Sequence, residues 1–155
     1  MKTEAFQNLL LKSATMIIGC DGEIDDSEIE EINYIIDTEI YFLGFEKENK
    51  LDDLISDFKQ KGKLAINIFL DELSAVHLLH KQKLILLEVL IRATEADGVI
   101  HPNEVELLHL ILPKLSIGQE ELIIKFPKQI GYLLPKEHSS FNTEFAEEIV
   151  FSSKN

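Results

Sequence analysis

Residues 21–31 read DGEIDDSEIEE and residues 97–104 read DGVIHPNE. Each stretch has an acid followed by a glycine, an isoleucine two residues on, and a glutamate six residues after the glycine. Upstream of the first, Leu9, Leu10, Met16, Ile17 and Ile18 recur at three-and-four spacing. That pattern predicts an amphipathic helix over residues 3–19, stopping at Gly19. Downstream, Ile29, Ile32, Ile35 and Ile36 predict a second helix from near Asp26, running on toward Leu43 with Gly44 as its stop. Displacing the chain by 76 positions (97 − 21) lays residues 9–36 on 85–112, matching Leu10 with Leu86, Asp21 with Asp97, Gly22 with Gly98, Ile24 with Ile100, Glu28 with Glu104 and Ile35 with Ile111. Helix, acidic turn and helix therefore occur twice.

The rest of the chain follows the same periodicity. Residues 46–60 and 63–79 read as two helices separated by Gly62, the second through Leu64, Ile68, Phe69, Leu73 and Val76. Residues 81–96 are apolar around most of their circumference, which assigns them to the centre of a bundle. Residues 102–114 form a sixth helix, with Pro102 in its first turn and Pro113 near its end. Ser116 and Gln119 offer a capping box for a short seventh. No stretch alternates in the manner of a β-hairpin. The expected fold is all-α, a bundle of about seven helices over residues 1–135 built from two pseudo-symmetric helix-turn-helix hairpins. Residues 136–155 form a C-terminal extension, with an amphipathic turn or two at 143–151 docked by Phe145 and Ile149.

The paired turns have a purely structural reading. With Pro102 as the first helical residue, His101 is the N-cap and Glu104 its capping-box partner; the same register makes Asp25 and Glu28 the pair in the first copy. Gly22 and Gly98 supply positive φ, Ile24 and Ile100 staple the turns to the core, and Asp26 and Glu28 complement the helix dipole. Each cap contributes about 1 kcal/mol. A ligand-binding reading starts from half of a calcium loop, since Asp21-Gly22…Glu28 and Asp97-Gly98…Glu104 keep the glycine and the terminal glutamate of an EF-hand. Its front half fails: Ile17 and Gly19 in one copy, and Ala93 and Glu95 in the other, stand where the first ligands belong. Hard cations take about six oxygens, so only pooling both turns reaches that number.

Two D-G-x-I-x-x-x-E turns, each opening a helix in a helical chain, resemble the TerB-like family, which includes tellurite-resistance TerB proteins and the related domain of some J-domain co-chaperones. The resemblance covers about residues 5–126. It implies a seven-helix bundle in which the acidic turns lie near one another, and a divalent cation (Ca, Mn or Zn) held by Asp21, Asp25 and Glu28 of the first turn with Asp97 and Glu104 of the second. The second turn departs from the pattern with His101 where the first has Asp25. That histidine either makes a mixed site suited to zinc or manganese or marks a turn that binds nothing, and the latter is favoured here. The resemblance also implies a bacterial stress-response or tellurite/metal-resistance setting.

Charge narrows the partners. The chain carries a net charge of −13, and residues 1–60 hold fifteen acids against five bases. Such a surface repels phosphate backbones and anionic lipid and favours cations or a protein partner with a basic surface. Cys20 is the single cysteine. It excludes an internal disulfide and a thiolate-rich zinc site, fits a reducing cytoplasm, and reads as a packed helix-end thiol. The opening MKTEAFQNLLLK lacks a signal-peptide pattern, and no apolar run approaches a bilayer's thickness. His77, His80 and His109 stand in no recognisable triad, and Glu88 with Arg92 suggests an i,i+4 ion pair. The expected function is a non-enzymatic binding or scaffolding module. The alternatives are a metal-dependent hydrolase using the pooled carboxylates, or a co-chaperone-like adaptor that presents its acidic helix through Glu30 and Glu31.

Overall fold

A computed structural model describes residues 1–135; the extension expected to dock through Phe145 and Ile149 lies outside the described residues. The helices are α1 (Thr3–Gly19), α2 (Asp26–Thr38), α3 (Lys50–Lys61), α4 (Lys63–Ala75), α5 (His80–Glu95), α6 (Pro102–Leu115), α7 (Gln119–Lys125) and α8 (Ile130–Leu133), with a 3-10 turn at Ile40–Phe42. Among the described residues there is no strand, and no helix is long and apolar enough to cross a membrane. The all-α bundle is as the periodicity predicts, with one extra short turn of helix at its end.

Helix α5 is central, as its greasy circumference requires, and α1 shares that place. The two pack against each other more extensively than any other pair, and α1 also meets α2, α3, α4 and α6. The core between them includes Leu10, Ile17, Ile18, Leu86, Leu87 and Leu90, all effectively inaccessible to solvent. Hydroxyls on these helices return to their own backbone rather than face the core unbonded. Ser13 and Thr15 donate to the Leu9 and Leu11 carbonyls at 2.7 and 2.8 Å, and Thr94 donates to the Leu90 carbonyl at 2.8 Å. The repeated hairpins α1–α2 and α5–α6 thus join through their first members.

Elsewhere the structure departs from the sequence reading. Helix α2 ends at Thr38 instead of running toward Leu43. The chain turns because Gln7, buried on α1, donates Nε2 to the carbonyls of Tyr41 and Leu43, both at 3.1 Å. A buried amide at that position satisfies carbonyls that a continued helix would have used itself. Helix α3 starts at Lys50, after a left-handed Asn49 (φ 63°), rather than at residue 46. Helix α4 ends at Ala75 and turns Ile66, Phe69 and Leu73 inward, while Leu64 and Ile68 remain 56% and 42% exposed. Two apolar faces are written into that helix, and periodicity alone does not choose between them. Ser116 does not cap α7; it is itself left-handed (φ 51°) and donates to the Pro113 carbonyl, and Gly118 precedes the helix. Ile24 packs on the core, whereas Ile100, expected to staple the second turn, is exposed.

The Glu88–Arg92 ion pair also does not form. Arg92 reaches from α5 to Glu31 on α2, donating Nε and Nη2 to its Oε1 at 3.0 and 2.8 Å, and to Glu39 after α2 through Nη1 at 2.7 Å. Glu88 instead accepts from the Tyr41 hydroxyl at 3.2 Å. Glu31 is therefore a structural clamp between hairpins, and reversing its charge would damage the fold before it reported on any docking face. Charge-assisted, partly buried contacts of this kind exceed an exposed pair in value. Arg92→Ala is expected to cost about 1–2 kcal/mol, and Glu88→Ala less than about 0.5 kcal/mol. Urea midpoints at constant slope check both, and equal effects would contradict the clamp.

Candidate metal centre

The two acidic turns meet. Each follows the C-terminus of a central helix, and because α1 and α5 pack side by side, their exits lie together. Gly22 (φ 85°) and Gly98 (φ 78°) take the left-handed conformation that reverses each chain. Asp21 Oδ1 accepts the Glu23 N–H at 2.9 Å, and Asp97 Oδ1 accepts the Val99 N–H at 3.0 Å, so both copies close the same aspartate turn. The capping glutamates follow suit. Glu28 Oε1 accepts the Asp25 N–H at 2.8 Å, and Glu104 Oε1 accepts the His101 N–H at 2.9 Å. This half of the structural reading is present in full.

Capping leaves part of the carboxylate set available. Asp25, Glu28 and Asp97 each bring a carboxylate oxygen to within 4.8 Å of the other two, drawing on both turns. The remaining residues read from the sequence stand beside this trio. Glu104 is 1% exposed, with the charge of Glu28 acting on it, yet its Oε2 is fully enclosed and has no hydrogen-bond partner. Asp21 Oδ2 lies 3.8 Å from His101 Nδ1. An orphaned buried carboxylate oxygen next to three converging carboxylates is the donor chemistry a hard cation requires.

His101 is not idle. Its Nε2 bonds Asp97 Oδ2 at 2.8 Å and its ring also faces Asp21, so it ties the two turns together from the second. That bond to Asp97 raises the His101 pKa above its ordinary value, against burial. Burial pushes Asp97 up, but the bonds from His101 and the Val99 N–H more than offset it and hold the carboxyl below the usual range. The buried glutamates behave oppositely. Burial drives Glu28 up to about 7, opposed by the Asp25 N–H and reinforced by the charges of Asp97, Asp21 and Asp25. Burial likewise drives Glu104 up to about 8, opposed by the His101 N–H and the His101 ring and reinforced by Glu28 and Asp97.

One residue here escaped the sequence reading. Asn103 donates Nδ2 to the Cys20 carbonyl at 3.1 Å, pinning the start of α6 to the first turn. Its position corresponds to Ser27 in the other copy, so the repeat carried no signal for it. Cys20 sits beneath the cluster, fully buried. Burial, then the charges of Glu104, Asp21 and Glu28, keep its thiol protonated, which makes it neither a ligand nor a nucleophile here. Two of the histidines that stand in no triad are engaged elsewhere: His80 with Glu121 at 2.8 Å, and His109 with the Tyr132 carbonyl at 2.7 Å.

Residues 9–125 match the family model described as tellurite resistance protein TerB. No curated protein and no solved structure matches the chain.

Proposed function

The chain belongs to the TerB family of tellurite-resistance proteins, and from that membership and the meeting of its two turns we propose that it is a non-enzymatic binding module taking one divalent cation between them. The observation that carries this reading is the convergence of Asp25, Glu28 and Asp97, one residue group from each half of the repeat, within 4.8 Å. Oxygen atoms spaced in this way approach the 2.0–2.6 Å bonds of a common ion after small side-chain shifts. Glu104 would add its orphaned Oε2, and Asp21 stands next in reach of the turn. His101 would orient Asp97 from outside, as partners of ligating carboxylates do.

The donor set is all oxygen while His101 remains on Asp97, so calcium or manganese suits it better than zinc. The cation would neutralise carboxylates that otherwise repel one another and would lock the two hairpins together. Ion binding in this reading is a stability and presentation device, in a cytoplasmic stress or metal-resistance setting, and no reacting group is assigned. A basic protein partner recognising the acidic N-terminal half fits the same surface charge.

Calorimetric titration of chelator-treated protein with calcium, manganese and zinc tests the proposal. One site is expected for calcium or manganese, weakened at least about tenfold, or roughly 1.4 kcal/mol, in the Asp25→Asn, Asp97→Asn double variant. An Asp21→Asn variant, changed outside the trio, should weaken it less. Absence of binding heat for all three ions with the folded protein would leave the turns as helix caps only.

A further inference from the structure

At the far end of the second hairpin, α6, α7 and α8 enclose an apolar groove of about 410 Å³. Its walls include Leu110, Leu112, Ile117, Leu122 and Leu134, and Pro135 forms part of its rim. A groove of this size holds two or three large side chains or a ligand of drug-like dimensions. The chain continues from that rim for twenty more residues, 136–155, reading KEHSSFNTEFAEEIVFSSKN. Within them Phe141, Phe145 and Ile149 recur at i, i+4 and i+8, while Glu147 falls on the opposite side and Glu144 away from the stripe.

We propose that residues 136–155 dock back on their own chain, laying the Phe141–Phe145–Ile149 stripe of a short helix into the groove between α6, α7 and α8. Two observations select this occupant over a separate one. The segment leaves from the groove's own rim at Pro135, so it is delivered at an effective concentration of the order of millimolar without the entropy loss of association. Five linking residues before Phe141 span up to about 17 Å when extended, ample to bring the stripe over the groove. The groove is thus an intramolecular socket, and the stripe supplies the large aromatic anchors that such sockets take.

A nitroxide placed on the acidic side of the segment through Glu147→Cys tests this in the full chain, since Cys20 is fully buried and does not compete for the label. The methyl signals of Leu110, Leu112, Ile117 and Leu134 are expected to lose most of their intensity, and those of Leu51 on α3 to keep theirs. Adding Phe145→Asp and Ile149→Asp should restore the groove signals while leaving the core spectrum unchanged. Undiminished groove signals in the labelled chain overturn the proposal and leave the groove to a ligand or a separate partner. So does broadening that persists when the label and the observed methyls are on different molecules, which would assign the groove to a second copy.

Discussion

In the presence of a chelator, the unfolding free energy should fall by about 3 kcal/mol as pH rises from 5 to 8.5, taking each unit of pKa difference as roughly 1.4 kcal/mol and discounting for the coupling between the groups. The cause is the pair of buried glutamates. Glu28 titrates at about 7 and Glu104 at about 8 in the fold, against an ordinary 4.5. Between those values the unfolded chain has already released protons that the folded chain still holds, so stability declines with increasing pH. Their contribution is fully present below about pH 4.5 and is lost as pH climbs through 7 to 8. His101, raised by its bond to Asp97, acts in the same direction: its contribution is present below 6.5 and lost above its folded value. Asp97, held below 3.8, acts oppositely and loses its contribution only in stronger acid, which places the maximum near pH 4. The other groups facing the glutamates are Asp21, Asp25 and the protonated Cys20.

Urea unfolding at a series of pH values measures this directly, and Glu104→Gln sharpens it. The amide keeps the acceptor for the His101 N–H and cannot ionise, so at pH 8.5 without metal the variant should be more stable than the parent by about 1–2 kcal/mol. A saturating divalent cation binds the ionised carboxylates and should offset most of that fall for the parent, adding about 2.7 kcal/mol at a hundredfold excess over Kd, while giving Glu104→Gln less. A metal-free profile that is flat or rises with pH would mean the glutamates are ionised at no cost, and the enclosed cluster would lose its electrostatic rationale.

The other large effect concerns the seam between the hairpins. Leu90 lies on α5, fully buried in the bundle centre. Leu90→Ala removes methyl groups that neighbours on a close-packed seam cannot replace, and is expected to cost about 2–5 kcal/mol. That is a large share of the 5–15 kcal/mol typical of a domain. It should also weaken any cation site indirectly, because the two turns meet only while α1 and α5 stay in register. Ile124→Ala, on a residue 76% exposed on α7, is the matched control and should stay within about 0.5 kcal/mol. Equal losses for the two variants in urea unfolding would show that the centre of the bundle lies elsewhere.

Helix identity was legible because long apolar periodicities leave no alternative to an amphipathic or buried helix, and α1, α5 and α6 began and ended close to where their patterns do. The duplication was legible too, since a shift of one constant offset aligned glycines, capping glutamates and core isoleucines at once. Local capping followed from the same residues: Glu28 and Glu104 bond the N–H groups that their register assigns. Where local sequence offered two equal choices, only packing decided. The inward face of α4, the end of α2 and the partner of Arg92 all depend on residues distant in the chain, namely the wall α4 meets, Gln7 and Glu31.

The acidic turns show the same division most clearly. By itself the sequence determined that each turn is a glycine elbow opening a capped helix, because those bonds span at most a few residues. Tertiary structure alone decided that Asp25 and Glu28 stand against Asp97, and that Glu104 is enclosed with one oxygen unmatched. Those relations join atoms some seventy residues apart, and they exist because two greasy helices bury their longest faces against each other and carry both elbows to the same end of the bundle.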